Sequence, residues 1–132
     1  MKKLIHLIYY WLPAIALMAI IFYLSAQPSV QVSNEQTVDF LAHKLVHVIM
    51  YAALYFLLFR GFYSLEFKQN PPLKTFIIPM MIAIAYGASD ELHQTFVPTR
   101  TGTLRDVFID SLGIVLMFQY TKTNLRRLKL FL

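Results

Sequence analysis

Three short patterns hold most of the side chains that could do chemistry. Lys44, His47 and Tyr51 recur at i, i+3 and i+7. The run Ser89-Asp90-Glu91-Leu92-His93-Gln94 gathers two carboxylates, an imidazole and an amide, and Asp106 and Asp110 stand one helical turn apart. On a helix turning about 100° per residue, the first set keeps within an arc of roughly 60°, as do Asp106, Asp110 and Gly113. Tyr86, Asp90, His93 and Gln94 share about 100°, while Glu91 points about 100° off the Asp90 face, as a supporting or interfacial group would. Imidazoles and carboxylates in such groups can exchange protons near neutral pH. Lys44, Arg100 and Arg105 can hold a phosphate or carboxylate, and Asp90, Asp106 and Gln94 can bind amide or hydroxyl groups. The chain has no cysteine, which excludes a thiol nucleophile, a disulfide framework and a cysteine zinc site. No established catalytic motif is present.

The elements that must position these groups are hydrophobic throughout. Of 132 residues, 58% are hydrophobic and 14% charged, against roughly 45–50% and about 25% in an average soluble domain. Mean hydropathy is +0.55. So short a chain cannot hide that much apolar surface in a single core, so lipid is the natural solvent. Disordered, fibrous and most soluble classes are excluded. One domain over residues 1–132 is expected, an all-α membrane bundle of four transmembrane helices at about 5–24, 43–63, 73–96 and 106–121. The first segment is uncharged for the twenty or so residues that a bilayer core about 30 Å thick requires. It is longer than the apolar part of a signal peptide, and Leu24-Ser25-Ala26 is a poor cleavage site. The other three have shorter uncharged runs and reach spanning length only with their polar ends included. A soluble bundle with one anchor is set aside because those runs lack a polar stripe for water.

The net charge of +5 reports topology rather than nucleic-acid binding. Lys2 and Lys3, then Arg60, Lys68 and Lys74, then Lys122, Arg126, Arg127 and Lys129 fall on one side of the four spans. Lys44, Arg100 and Arg105 fall on the other. Both termini should therefore be cytoplasmic, with the cationic 122–129 tail resting on anionic headgroups. Pro28, Asn70-Pro71-Pro72, Pro98 and Gly102 punctuate the loops, and Pro79 could kink the third helix near its start. Tyr9, Tyr10 and Trp11 read as an interfacial aromatic belt.

With that topology, three helices carry their ionisable groups at the same external end. At about 1.5 Å per residue, Asp90 lies some 9 Å below Phe96 and Asp110 some 6 Å below Asp106. Charged groups at membrane depth face a bundle interior or a wet cavity. The expected site is a polar pocket open to the extracytoplasmic face, roofed by residues 97–105. It would draw on Lys44, His47, Tyr51, Asp90, Glu91, His93, Gln94, Arg100, Asp106 and Asp110. Each group also has a plainer reading. His47 could bond across helices, Asp106 could cap the fourth helix, Arg100 and Arg105 could anchor headgroups, and Gly113 could mark a close helix contact. Those readings explain single residues better than three helices polar at one end.

The stretch Ser89-Asp90-Glu91-Leu92-His93-Gln94-Thr95-Phe96-Val97-Pro98, followed by Arg100, Gly102, Asp106 and Gly113, resembles the VanZ-like family of small bacterial membrane proteins. That family's signature reads S-D-E-x-x-Q-x-F-x-P-x-R-x-G, then an Asp opening the last helix and a Gly within it. Lys44-x-x-His47-x-x-x-Tyr51 is similar to the family's K-x-x-H-x-x-x-Y helix, and Ser25-Ala26-Gln27-Pro28 to its S-x-Q-P exit from helix one. The resemblance covers nearly the whole chain. It implies a four-helix membrane domain and, by name, a link to teicoplanin-type glycopeptide resistance. Thr99 departs from the Gly that the family often has before the Arg. Asp110 departs from a common Asn. His43 matches nothing in the pattern, which weakens a metal site built on His43 and His47.

The leading expectation is a multi-pass protein of the bacterial cell membrane that binds or shields a ligand at the outer leaflet and contributes to glycopeptide tolerance. Its partners would be membrane lipids and a lipid-linked cell-wall precursor or the glycopeptide, with no nucleic acid, cofactor or metal. The alternative is an embedded enzyme that modifies a lipid headgroup or wall precursor, with His47 and His93 as acid and base beside Asp90 or Asp110. A metal version of it would use His47, His93 and two carboxylates. Ion conduction is disfavoured because the inner halves of the helices are almost wholly apolar. Catalytic residues and oligomeric state are not readable. Introduced cysteines at positions 33 and 101 should face the outside, and ones at 69 and 123 should not.

Overall fold

A computed structural model describes residues 2–28, 34–66, 70–129 and 131–132, leaving aside the side chains of residues 2 and 3. The described residues form four helices: α1 (Lys2–Ser25), α2 (Gln36–Glu66), α3 (Lys74–Gln94) and α4 (Leu104–Leu128). Positions 33, 68 and 69, which entered the charge count and the labelling expectation, lie outside the described residues. The helices alternate in direction. Ser25 at the end of α1 meets Asp90 near the end of α3, while Trp11 packs on Phe62 near the end of α2. Both chain ends therefore sit at one end of the bundle, and the α1–α2 and α3–α4 connections sit at the other.

Helix α2 is the central element, packed against each of the other three. Its buried face runs through Tyr51, Leu54, Tyr55, Leu58, Phe59 and Tyr63, and Phe76 of α3 stacks on Phe59 with ring centroids 5.0 Å apart. At 31 residues it extends about 46 Å, well beyond a bilayer core. It begins at Gln36 rather than 43, because Asp39 in its first turn suits the positive end of the helix dipole although it is too polar to read as part of a span.

Among the described residues, three helices are long and apolar enough to cross a membrane: Leu4–Ser25, Gln36–Glu66 and Lys74–Gln94. The sequence predicts four. Helix α4 falls short because Arg105, Asp106 and Asp110 occupy its first turns and Lys122, Arg126 and Arg127 its last. It also runs past its predicted end at 121 to Leu128, with a non-helical bend at Asn124 (φ −112°, ψ 20°). Outward-facing surface on α1 is apolar, with Ile5, Ile8, Leu12, Ile15 and Phe22 all exposed. An exterior greasier than water tolerates is the mark of a protein built for lipid.

Two small residues set the spacing at the polar end. A Cβ on Gly113 of α4 would collide with the carbonyl of Val48 on α2, so the two backbones touch there. This is the close helix contact expected of a small residue in a membrane bundle. A Cβ on Gly102 would collide with the carbonyl of Glu91, so the α3–α4 loop is folded tightly over the end of α3.

Candidate functional site

Helix register brings the costly side chains of α2, α3 and α4 together at the end away from the termini. Lys44 Nζ lies 3.0 Å from Asp106 Oδ1. One turn deeper, His47 Nδ1 lies 3.2 Å from Asp110 Oδ1. The matched pairs follow from two helices with polar residues at i, i+3 and at i, i+4 lying side by side at the Gly113–Val48 contact. Thr103 caps α4: its side chain accepts a hydrogen bond from the Asp106 backbone N–H at 3.3 Å. Thr103 rather than Asp106 is thus the cap, since a Thr three residues before an acid makes half of a capping box, and Asp106 is the acid of the first turn, where the helix dipole favours it. Asp106 is thereby left free for Lys44, and Arg105 Nε adds a weaker approach at 3.6 Å.

Asp90 and Glu91 face different neighbours. Asp90 Oδ2 accepts from the hydroxyls of Ser25 at 2.9 Å and Tyr51 at 3.1 Å, and from Gln94 Nε2 at 3.1 Å. These are neutral donors from α1, α2 and α3 on one oxygen, and Oδ1 is buried without a hydrogen-bond partner among the described residues. Glu91 turns toward α4 instead. Its Oε2 accepts from the Thr103 backbone N–H at 3.2 Å, and Gln94 Nε2 lies 3.4 Å from Oε1. Glu91 is only 3% exposed and lies within ligand reach of His47 and Asp110. About 100° off the Asp90 face on the helical wheel, it faces α4 beside His47 and Asp110. A helix packed between neighbours on two sides gives adjacent residues a wall each.

His93 does not join the group. Its ring stacks on Phe22 of α1, centroids 4.7 Å apart and 29° between planes, so its face of α3 belongs to the α1 contact. Ser89 is exposed and donates to the carbonyl of Tyr86 within its own helix. Arg100 crosses to α1 and donates from Nε to the Gln27 carbonyl at 2.7 Å and from a terminal nitrogen to that of Leu24 at 3.0 Å. It thus clasps the α1 exit to the α3–α4 loop. Thr99, just before it, sits at φ 67°, a left-handed conformation that glycine adopts without strain. The threonine thus holds a conformation that suits the glycine of the resemblance. Ser25 was missed as a site residue: an uncharged hydroxyl at a helix end carries no desolvation signal of its own.

Two cavities meet here. A polar one of about 510 Å³ is lined by Asp39, Lys44, Gln94, Arg100, Arg105 and Asp106, among others, under the 97–105 loop. An apolar one of about 210 Å³ lies between α1 and α2, with Ile21, Leu24, Val46 and Met50 in its wall. His43, His47 and Arg100 line both. At the opposite end, the Tyr9 and Tyr10 rings hold the Arg60 guanidinium at 4.4 and 4.9 Å from their centroids. A basic groove of about 670 Å³ there is walled by Asn70, Lys122, Arg126, Arg127 and Lys129, among others.

The arrangement is that of the resemblance: the Ser-Asp-Glu run, its Gln, the Lys-x-x-His-x-x-x-Tyr helix and the Asp of the last helix meet in one place. A family model described as VanZ/LLP1 matches residues 10–123. The chain belongs to the VanZ/LLP1 family. Comparison with curated proteins and with solved structures finds no match. The matched span takes in the clasped exit of α1, the paired faces of α2 and α4 and the Asp90–Glu91 run of this chain.

Proposed function

We propose that this VanZ-like protein crosses the bacterial cell membrane four times, with its termini in the cytoplasm, and binds an amphiphile with an anionic headgroup from the outer leaflet. The observation that carries the reading is the junction of the two cavities. A headgroup phosphate fits the polar side, where Lys44, Arg100 and Arg105 supply cations, and an acyl or prenyl chain fits the apolar side between α1 and α2. Both dissimilar halves of one ligand are served at His43, His47 and Arg100.

The fourth crossing is supported by the inside-out pattern of α4. Asp106, Asp110 and Gly113 are buried while Phe108, Leu112, Val115 and Leu116 are exposed, which suits a helix with lipid on one side and a polar interior on the other. The cationic groove at the termini supports the cytoplasmic assignment. Shielding a lipid-linked cell-wall precursor in this pocket would contribute to glycopeptide tolerance, a reading that the family's name supports. The paired His47 and Asp110 support the second reading, an embedded enzyme that modifies such a headgroup.

The test uses purified protein in lipid nanodiscs and a labelled lipid-linked wall precursor, with a zwitterionic phospholipid for comparison. Capture of the precursor at unchanged mass, weakened by Arg105→Ala and by filling the apolar cavity with Val46→Trp, supports binding. A change in precursor mass that needs His47 favours the enzyme. Equal capture of both lipids, indifferent to these substitutions, overturns the amphiphile site.

A further inference from the structure

Asp90, Glu91, Asp106 and Asp110 are all buried, none more than 4% exposed. Among the described residues, the cationic side chains within ion-pair distance of them are Lys44 and Arg105, both on Asp106, and His47, on Asp110. Asp110 has the His47 imidazole, and Glu91 has the neutral Thr103 N–H and Gln94 amide. Buried charges are paired, or they coordinate a metal.

The same three residues have the geometry of a coordination shell. His47, Glu91 and Asp110 each offer one ligand atom, and these atoms all lie within 4.8 Å of one another. Zinc bonds of about 2.0–2.1 Å to nitrogen and about 2.0–2.2 Å to oxygen put neighbouring tetrahedral ligands about 3.4 Å apart. His47 Nδ1 and Asp110 Oδ1 are 3.2 Å apart. A separate observation points the same way: Asp110 Oδ2 is buried and has no hydrogen-bond partner among the described residues, although Asp110 is only 1% exposed. That oxygen keeps its lone pairs for a further donor or a cation.

We propose that His47, Glu91 and Asp110 bind a divalent transition-metal cation, of the zinc or manganese class that one imidazole and two carboxylates suit. The Thr103 N–H and Gln94 amide on Glu91 are the orienting partners such a ligand needs. Three protein ligands leave a coordination position free. His47 also walls the polar cavity, which gives the cation a way in and an anionic group a position to fill. The site goes beyond the amphiphile reading and stands without it.

The experiment uses full-length protein in detergent, without a polyhistidine tag, loaded with zinc alone and dialysed. The expected result is about one zinc per chain by elemental analysis. X-ray absorption should then show an oxygen and nitrogen shell that includes a single imidazole. Glu91→Gln and Asp110→Asn, checked for an unchanged size-exclusion profile, should weaken retention by more than the roughly 10–100-fold that follows loss of an outer-shell partner. Asp39→Asn, an acid outside the set, should retain the metal. Any of three results overturns the site: no zinc retained by wild-type protein, an absorption spectrum with no imidazole or more than one, or retention unaffected in both folded variants. The spectrum is read on wild-type protein, so the test survives a variant that fails to fold.

Discussion

The two ends of this bundle solve opposite problems with the same helices. Toward the termini, the α2 rings Tyr55, Phe59 and Tyr63 stack in series and Phe59 stacks on Phe76 of α3, in a core built mainly of apolar and aromatic side chains. At the other end, the same helices and α4 bury four carboxylates against Lys44, His47, Tyr51, Gln94 and the Thr103 N–H. The ring-filled half needs only shape and volume. The polar half needs each partner in register, and an error of one residue would leave a buried charge unpaired. The contrast assigns stability to the first region and function to the second.

That division can be broken by substitution. Phe59→Ala, at a fully buried ring, should cost about 3–5 kcal/mol. Its thermal unfolding midpoint in detergent should fall sharply, while residual folded protein still captures the amphiphile. Gly113→Ala forces the α2 and α4 backbones apart at Val48 and should cost about 1–3 kcal/mol as overpacking. Unlike Phe59→Ala, it should also impair capture in the folded fraction, because it separates Lys44 and His47 from their acids. Tyr51→Phe removes one donor to Asp90 and should cost about 0.5–1.5 kcal/mol in the melting curve. Thr99→Gly relieves the positive φ and should leave stability unchanged or raise it by up to about 1 kcal/mol. A clear loss would show that the threonine side chain holds the turn.

How much of this was legible in the sequence varied by element. The pairing of Lys44 with Asp106 and of His47 with Asp110 follows from spacing, because a helical repeat fixes both faces and charges at membrane depth must find each other. The same wheel sets Glu91 about 100° off the Asp90 face, and Glu91 does turn to a different neighbour, whereas His93, which it puts on the Asp90 face, stacks on α1. The wheel treats α3 as having one inner face, whereas α3 touches α1, α2 and α4. The early start of α2 and the late end of α4 were hidden for another reason: polar turns beyond the apolar stretch stay helical through capping and tertiary contact, not hydropathy. Ser25, Thr103 and the clasp of Arg100 on α1 carbonyls depend on loop paths that periodicity does not encode.

The central claim is that the buried acids gather beneath a vestibule that faces the outside of the cell. With no native cysteine, single cysteines at Thr101, exposed beside the vestibule, and at Thr123, exposed at the opposite end, report it directly. Intact cells treated with a membrane-impermeant thiol reagent should label the cysteine at 101 and spare the one at 123 until the membrane is opened. Labelling at 123 with protection at 101 would turn the vestibule toward the cytoplasm and contradict the account.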